Sequence, residues 1–291
     1  KVKVSFKGHT AITQADGKGH WRTNIKTGEA DATGFPLIVL TAGFETIRIE
    51  NVVVGEVWFA SGQSNMAMEV RSSPEYNELV SKTNLPNLRM FNAANVATVE
   101  PQTDIAGVWS QANPQTIPNY SGAAFFFGRM LVAELDVPVG IIKSAWGGKP
   151  VETFTSRAAL NTHPGTKVLV DRLMAQDAAY DPAKAAERFQ IQEANWQTAT
   201  EKWRATPAAE RKGAPRKPRL AKRPLLSEGR PGVLFNSMIN PFVGYTIRGA
   251  IWYQGESNAR EGAVPYDETL PLMINDWRTR WDDSFSFYFV Q

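Results

Sequence analysis

The sequence predicts an α/β fold: a parallel sheet flanked by helices, preceded by part of an antiparallel β-sandwich. Three observations lead there. Residues 1–52 alternate apolar and polar side chains at period two, and from residue 53 the apolar runs become continuous and end in small or polar residues. Between two such runs lies a helical pattern that hands over directly to the next run, as a helix–strand unit.

In the first region Val2, Val4 and Phe6 alternate with Lys1, Lys3, Ser5 and Lys7, and Ile47 and Ile49 alternate with polar neighbours. Alternation buries one face of a strand and wets the other. Turns are expected at Asp16-Gly17-Lys18-Gly19 and Thr33-Gly34-Phe35-Pro36. The region is too short for a whole sandwich and reads as part of one.

The continuous runs are Val52–Ala60 into Ser61-Gly62-Gln63-Ser64, Pro138–Ile142 into Lys143-Ser144-Ala145-Trp146-Gly147-Gly148, Arg248–Tyr253 into Gln254-Gly255-Glu256-Ser257-Asn258, and Phe285–Val290 into Gln291. Strands buried on both faces read this way. A helix is predicted over 121–135, capped by Ser121, with Phe125, Phe126, Met130, Leu131 and Leu135 as its apolar stripe. Residues 166–205 read as an amphipathic helical pair carrying Trp196 and Trp203, inside a helical and basic insertion at 160–230.

At 291 residues and 43% hydrophobic content the chain can bury a sizeable core. The absence of cysteine excludes disulfides and thiolate metal sites. No apolar run is long enough to cross a bilayer, so no membrane partner is expected. No metal or other cofactor is predicted. The start at Lys1, without Met or an apolar leader, reads as a processed end and fits a secreted or periplasmic protein. Net charge is only +3, but Lys202, Arg204, Arg211, Lys212, Arg216, Lys217, Arg219, Lys222 and Arg223 crowd one stretch. This is either a patch for an anionic partner or a solvated, partly flexible connector. The prolines at 207, 215, 218 and 224 favour the connector, and nucleic acid is not expected as a partner.

Ligands of an open parallel sheet bind beyond the carboxyl ends of its strands, so the polar clusters at those ends should converge. Ser64 after Gly62 can stand on a tight turn into a helix whose N–H groups face a developing negative charge. Gly147-Gly148 can expose a backbone N–H. Gln254 can donate from its amide, and Glu256 can orient a base. Taken singly, the three clusters are a capped turn, a plain turn and a pair of capping residues.

Together they point further. Gly62-Gln63-Ser64-Asn65-Met66, then Ser144-Ala145-Trp146-Gly147-Gly148 with Glu152 after it, then Trp252-Tyr253-Gln254-Gly255-Glu256-Ser257-Asn258, resemble the three successive blocks of the sialate O-acetylesterase-like family. These are SGNH (GDSL-like) hydrolases and include acetylxylan esterases. The resemblance covers about residues 45–291. It departs at Lys149 and Phe154, where that family commonly has threonine and tryptophan.

The resemblance implies a three-layer α/β/α hydrolase domain over 53–291, often preceded by a β-sandwich. It implies a serine esterase that removes O-acetyl groups from carbohydrates through an acetyl-enzyme on Ser64. The N–H groups of Ser64 and of Gly147 or Gly148, with the Gln254 side chain, would form the oxyanion hole. Glu256 would orient the catalytic histidine, and Lys149 and Asn258 are expected to touch substrate. Which acetylated sugar is cut stays open among sialic acid, xylan, pectin and rhamnogalacturonan.

A serine needs a base. That of the family is the histidine of an Asp-x-x-His element, and His9, His20 and His163 lie in no such context. The hydrolase domain is therefore expected to be incomplete at Gln291, with a further C-terminal segment or a second chain supplying Asp-x-x-His. Two other readings stay open. One is a non-catalytic carbohydrate-binding homologue that lost the base, and the other is a lipase or thioesterase, disfavoured by the absence of an apolar lid.

Overall fold

A computed structural model describes residues 1–41 and 45–290. The alternating region forms β1 (Val2–Phe6), β2 (His9–Thr13), β3 (Asp31–Thr41) and β4 (Thr46–Val54), one antiparallel sheet in the order β2-β1-β3-β4. Lys7 and Gly8, both at positive φ, make the two-residue turn between β1 and β2. Val2, Val4 and Phe6 are buried, as their alternation requires. Ile47 and Ile49 are not: each is 47% exposed. They lie on β4, an edge strand whose outer side pairs with no strand among the described residues. β4 also extends two residues past 52, and the run expected from Val52 to Ala60 is split at Gly55.

The chain then runs through β5 (Glu56–Gly62), α1 (Ser64–Ala67), α2 (Tyr76–Lys82), β6 (Leu85–Asn92), β7 (Trp109–Ala112), α3 (Gly122–Leu135) and β8 (Val139–Ala145). It continues through α4 (Arg157–Leu160), α5 (Pro164–Ala178), α6 (Pro182–Ala205), β9 (Gly249–Tyr253), α7 (Tyr266–Trp281) and β10 (Ser286–Phe289). The second sheet has the order β10-β9-β5-β8-β6-β7, parallel throughout except for the antiparallel β6–β7 pair. β6 and β7 are absent from the sequence reading because neither carries a continuous apolar run.

Side chains of the central strands alternate between two cores, which gives the predicted α/β layering. On one face Phe59, Ile142 and Trp252 pack against Phe154, Met238 and, from α7, Met273 and Trp277. On the other Trp58, Ala60 and Ile141 pack against Met66 of α1 and Phe125 of α3. Each fully buried large side chain contributes about 1.5–3 kcal/mol over its exposed state.

α3 starts as predicted, with Ser121 Oγ accepting from Ala124 N–H at 3.2 Å. Its inward stripe is narrower than expected: Phe125 is buried, whereas Met130 and Leu135 are exposed. β10 is also less enclosed than its apolar run suggests. Tyr288 and Phe289 are exposed because β9 alone flanks it among the described residues. Gln291 and any continuation lie outside the described residues. No helix among the described residues is long and apolar enough to cross a membrane.

Candidate active site

β5, β8 and β9 are neighbours at the middle of the sheet, with Gly62 in register with Ala145 on one side and Tyr253 on the other. The three polar clusters therefore leave the sheet side by side. Gly62 has φ of +138°, and a Cβ there would fall 2.2 Å from the Tyr253 carbonyl oxygen. That oxygen accepts from Gln63 N–H at 3.0 Å. Only glycine lets β5 bend this tightly against β9.

Ser64 emerges exposed as the first residue of α1, and buried Met66 anchors that turn below it. α1 is a single turn of four residues, too short to sum a large macrodipole. The expected helix end behind Ser64 is thus corrected to individual N–H groups. Trp146 N–H donates to the Gly62 carbonyl at 3.1 Å and draws the next turn over the serine. A Cβ built on Gly147 would lie 3.6 Å from both Cα and Cβ of Ser64. Gly148 follows at φ +69° with open space around it. Among the described residues nothing accepts from the N–H of Ser64, Gly147 or Gly148.

Glu256 is exposed, and its Oε1 accepts from Asn65 Nδ2 at 2.6 Å. The carboxylate is so tied to the residue after Ser64, a link the sequence did not suggest. Gln254 is different: it is buried, and its Nε2 donates to Asn258 Oδ1 at 2.7 Å, with Lys149 O at 3.2 Å and Gln63 Oε1 at 3.4 Å. Its amide hydrogens face protein acceptors rather than Ser64. Asn258 is also buried. Its Oδ1 accepts from Gln254 and from Val151 N–H at 2.9 Å, and its Nδ2 donates to buried Glu152 at 2.9 Å. The expected substrate contact at Asn258 is therefore replaced by a buried tie that holds the loop after β8 to the loop after β9.

One further group completes this layer. Tyr266 donates to the Gln254 carbonyl at 2.8 Å and accepts from Trp252 Nε1 at 2.9 Å. Burial pushes the Tyr266 phenol up, with Glu256 and Glu152 adding, so it stays a donor. Tyr266 carried no sequence signal, because it lies in a helix beyond the three clusters.

Lys149 is engaged as well. Its Nζ stands 3.8 Å from Glu228 Oε1 and 5.3 Å over the Trp146 ring, so a ligand would compete with Glu228 for it. His163 caps the start of α5, with Nε2 3.0 Å from Glu268 Oε2 on α7. His9 lies on β2, and His20 pairs with Asp16. Among the described residues none of the three bonds to Ser64 or Glu256. No group of three or more His, Asp or Glu among the described residues is disposed to hold a metal ion.

The chain is 30% identical to a sialate O-acetylesterase of Mus musculus over 267 residues, which are 84% of this chain and 44% of that protein. It is 26% identical to a sialate O-acetylesterase of Homo sapiens over 242 residues, 80% of this chain and 37% of that one. A crystal structure of a carbohydrate acetylesterase from Xanthomonas citri superposes with a TM-score of 0.73 at 27% identity, over 100% of this chain and 53% of that one. The chain belongs to the sialate O-acetylesterase-like family. No family model matches it. The chain spans less than half the length of the curated relatives it matches. The departure from the common family pattern at Phe154 has a local account: its ring stands edge-on to Trp252 at 5.4 Å, and its carbonyl accepts from Trp277 Nε1 at 2.9 Å.

Proposed function

We propose that this chain carries the nucleophile and oxyanion hole of a carboxylic ester hydrolase that removes O-acetyl groups from carbohydrates, with Ser64 as the nucleophile. The observation that carries the reading is the exposed Ser64 hydroxyl beside backbone N–H groups of Ser64 and Gly147 that have no protein acceptor among the described residues. Ser64 Oγ attacks the acetyl carbonyl while a base takes its proton. The tetrahedral oxyanion is held by the N–H of Ser64 and of Gly147 or Gly148. Collapse expels the sugar hydroxyl, which takes the proton back, and water then frees acetate from Ser64 by the same route.

Gln254 is a positioning residue in this scheme. Its donors hold the Lys149 carbonyl and Asn258, and so fix the loop that carries Gly147. It becomes a third oxyanion donor only by releasing one of those acceptors. Glu256, exposed and held by Asn65, would orient the base. That base is proposed to be a histidine from outside these 291 residues. His163 is already engaged by Glu268, and the other two histidines belong to the N-terminal region. Export to where acetylated polymers lie is part of the same reading.

Ser64→Ala in the full-length protein should abolish p-nitrophenyl acetate hydrolysis by several orders of magnitude, leaving only binding and oxyanion contributions. An unchanged rate removes Ser64 from the mechanism. The missing base favours one competitor, a homologue that binds sugar without cutting it. Fluorophosphonate labelling of Ser64 separates the two: an activated serine labels, an inert one does not.

A further inference from the structure

α6 runs for 24 residues without one buried residue. Helices of this length are ordinarily held by an apolar face against a core. Here the chain that follows returns along the helix and covers it. Trp196 Nε1 donates to the Pro215 carbonyl at 3.0 Å, and Lys217 Nζ stands 5.5 Å over the same ring. Trp203, seven positions on and so on the same helix face, donates to the Lys212 carbonyl at 2.5 Å under the Arg211 guanidinium at 5.1 Å. Tyr180 donates to the Ala221 carbonyl at 3.0 Å, and Arg223 pairs with Asp177 at 2.7 Å. The basic stretch, expected as a solvated, partly flexible connector, is a strap pinned at both ends and along its length.

Pinning the strap turns its charge outward. Lys202, Arg204, Lys212, Arg216 and Arg219 are exposed, and the only acidic residue between Lys202 and Arg223 is Glu210. Where α5, α6 and the strap meet there is a cleft of about 380 Å³, whose lining includes Lys184, Arg188, Arg219, Tyr180, Phe189 and Gln192, with Asp181 its one carboxylate, 3.8 Å from Lys184. Cations, ring faces and an amide around one opening are the groups that hold carboxylate, sugar ring and hydroxyl.

We propose that this arm is a docking surface for an acidic glycan chain, a polysaccharide whose sugar units carry carboxylates. Arg188 and Arg219 would take one carboxylate in fork geometry. Tyr180 and Phe189 would line the ring of that unit, and the outward cations of the strap would meet successive charges of the same polymer. A held polymer raises the local concentration of its acetyl esters at Ser64. The choice of glycan over other polyanions rests on the esterase reading above; the charge argument does not.

The test uses the full-length protein and the triple variant Lys184→Ala/Arg188→Ala/Arg219→Ala, all exposed side chains whose removal leaves the core intact. Binding of de-esterified polygalacturonate, neutral xylan and duplex DNA is measured by calorimetry at low and high salt, alongside p-nitrophenyl acetate hydrolysis. Polygalacturonate should bind in preference to xylan, weaken as salt rises, and lose about tenfold or more in the variant, the scale of one charge-assisted contact, with small-ester hydrolysis unchanged. Three results overturn the proposal: equal binding of polygalacturonate and xylan, an unaffected variant, or DNA bound as tightly as polygalacturonate. A protein that binds polygalacturonate as expected yet hydrolyses no ester refutes the esterase reading instead.

Discussion

At the scale of single residues, Gly147 and Gly148 do different work. Gly148 needs its left-handed φ, whereas Gly147 needs the space beside Ser64. A methyl group on Gly147 meets Ser64 at 3.6 Å, ordinary contact distance, so the fold tolerates it. It does intrude where an acetyl ester must approach. Gly147→Ala should leave Tm within about 1–2 °C of wild type while lowering kcat/KM about tenfold, about 1.4 kcal/mol of barrier. A parallel loss of Tm would mean that Gly147 shapes the fold instead. Asn258 acts through its neighbours. Asn258→Ala strands the buried Glu152 carboxylate without its side-chain partner and removes the shortest hydrogen bond of the buried Gln254 amide. It should cost about 2–3 kcal/mol in urea unfolding. A loss of activity at unchanged stability would return Asn258 to the substrate-contact role.

At the scale of elements, the strap over α6 shows why a basic, proline-broken stretch need not be loose. Its two indole hydrogen bonds and two cation–π contacts repeat at a seven-residue spacing along one helix face. Its end is held by Arg223 on Asp177, which holds the Asp177 carboxyl below its ordinary value. The sign follows from that lowering. A carboxylate with a depressed folded value contributes stability above the ordinary carboxylate range, about pH 4, and loses it as pH falls through the lowered value. Hydrogen-exchange protection factors over residues 206–223, taken relative to the intrinsic rate at each pH, should therefore fall below about pH 4, and fall less in Asp177→Asn, where the pair is already gone. An equal loss of protection in both proteins would remove the pair as the cause.

At the scale of the whole molecule, residues 1–291 supply an exposed serine, candidate oxyanion donors and a supporting layer, and no histidine bonded to either Ser64 or Glu256 among those described. This polypeptide by itself should label with fluorophosphonate far more slowly than the full-length protein and show little p-nitrophenyl acetate hydrolysis. Full activity from these residues alone would overturn the proposal of an outside base.

The sequence by itself determined the α/β class, the helix capped by Ser121, and the convergence of three clusters. Those properties reside in periodicity, capping chemistry and the rule that parallel strands deliver their loops to one end. Only the tertiary structure decided which polar groups are free to act. Gln254, Asn258 and Lys149 all read as available in one dimension, and each meets a partner about 80 or more residues away. It also decided which apolar runs stay uncovered, as at Ile47 and Tyr288, because an edge strand has the same pattern as an enclosed one. Ser64 differs from those polar groups: it follows a glycine crowded by the Tyr253 carbonyl, and its hydroxyl stands exposed above the sheet. Periodicity reports the face a residue lies on. The identity of what lies across from it is set by chain folding between residues far apart in sequence.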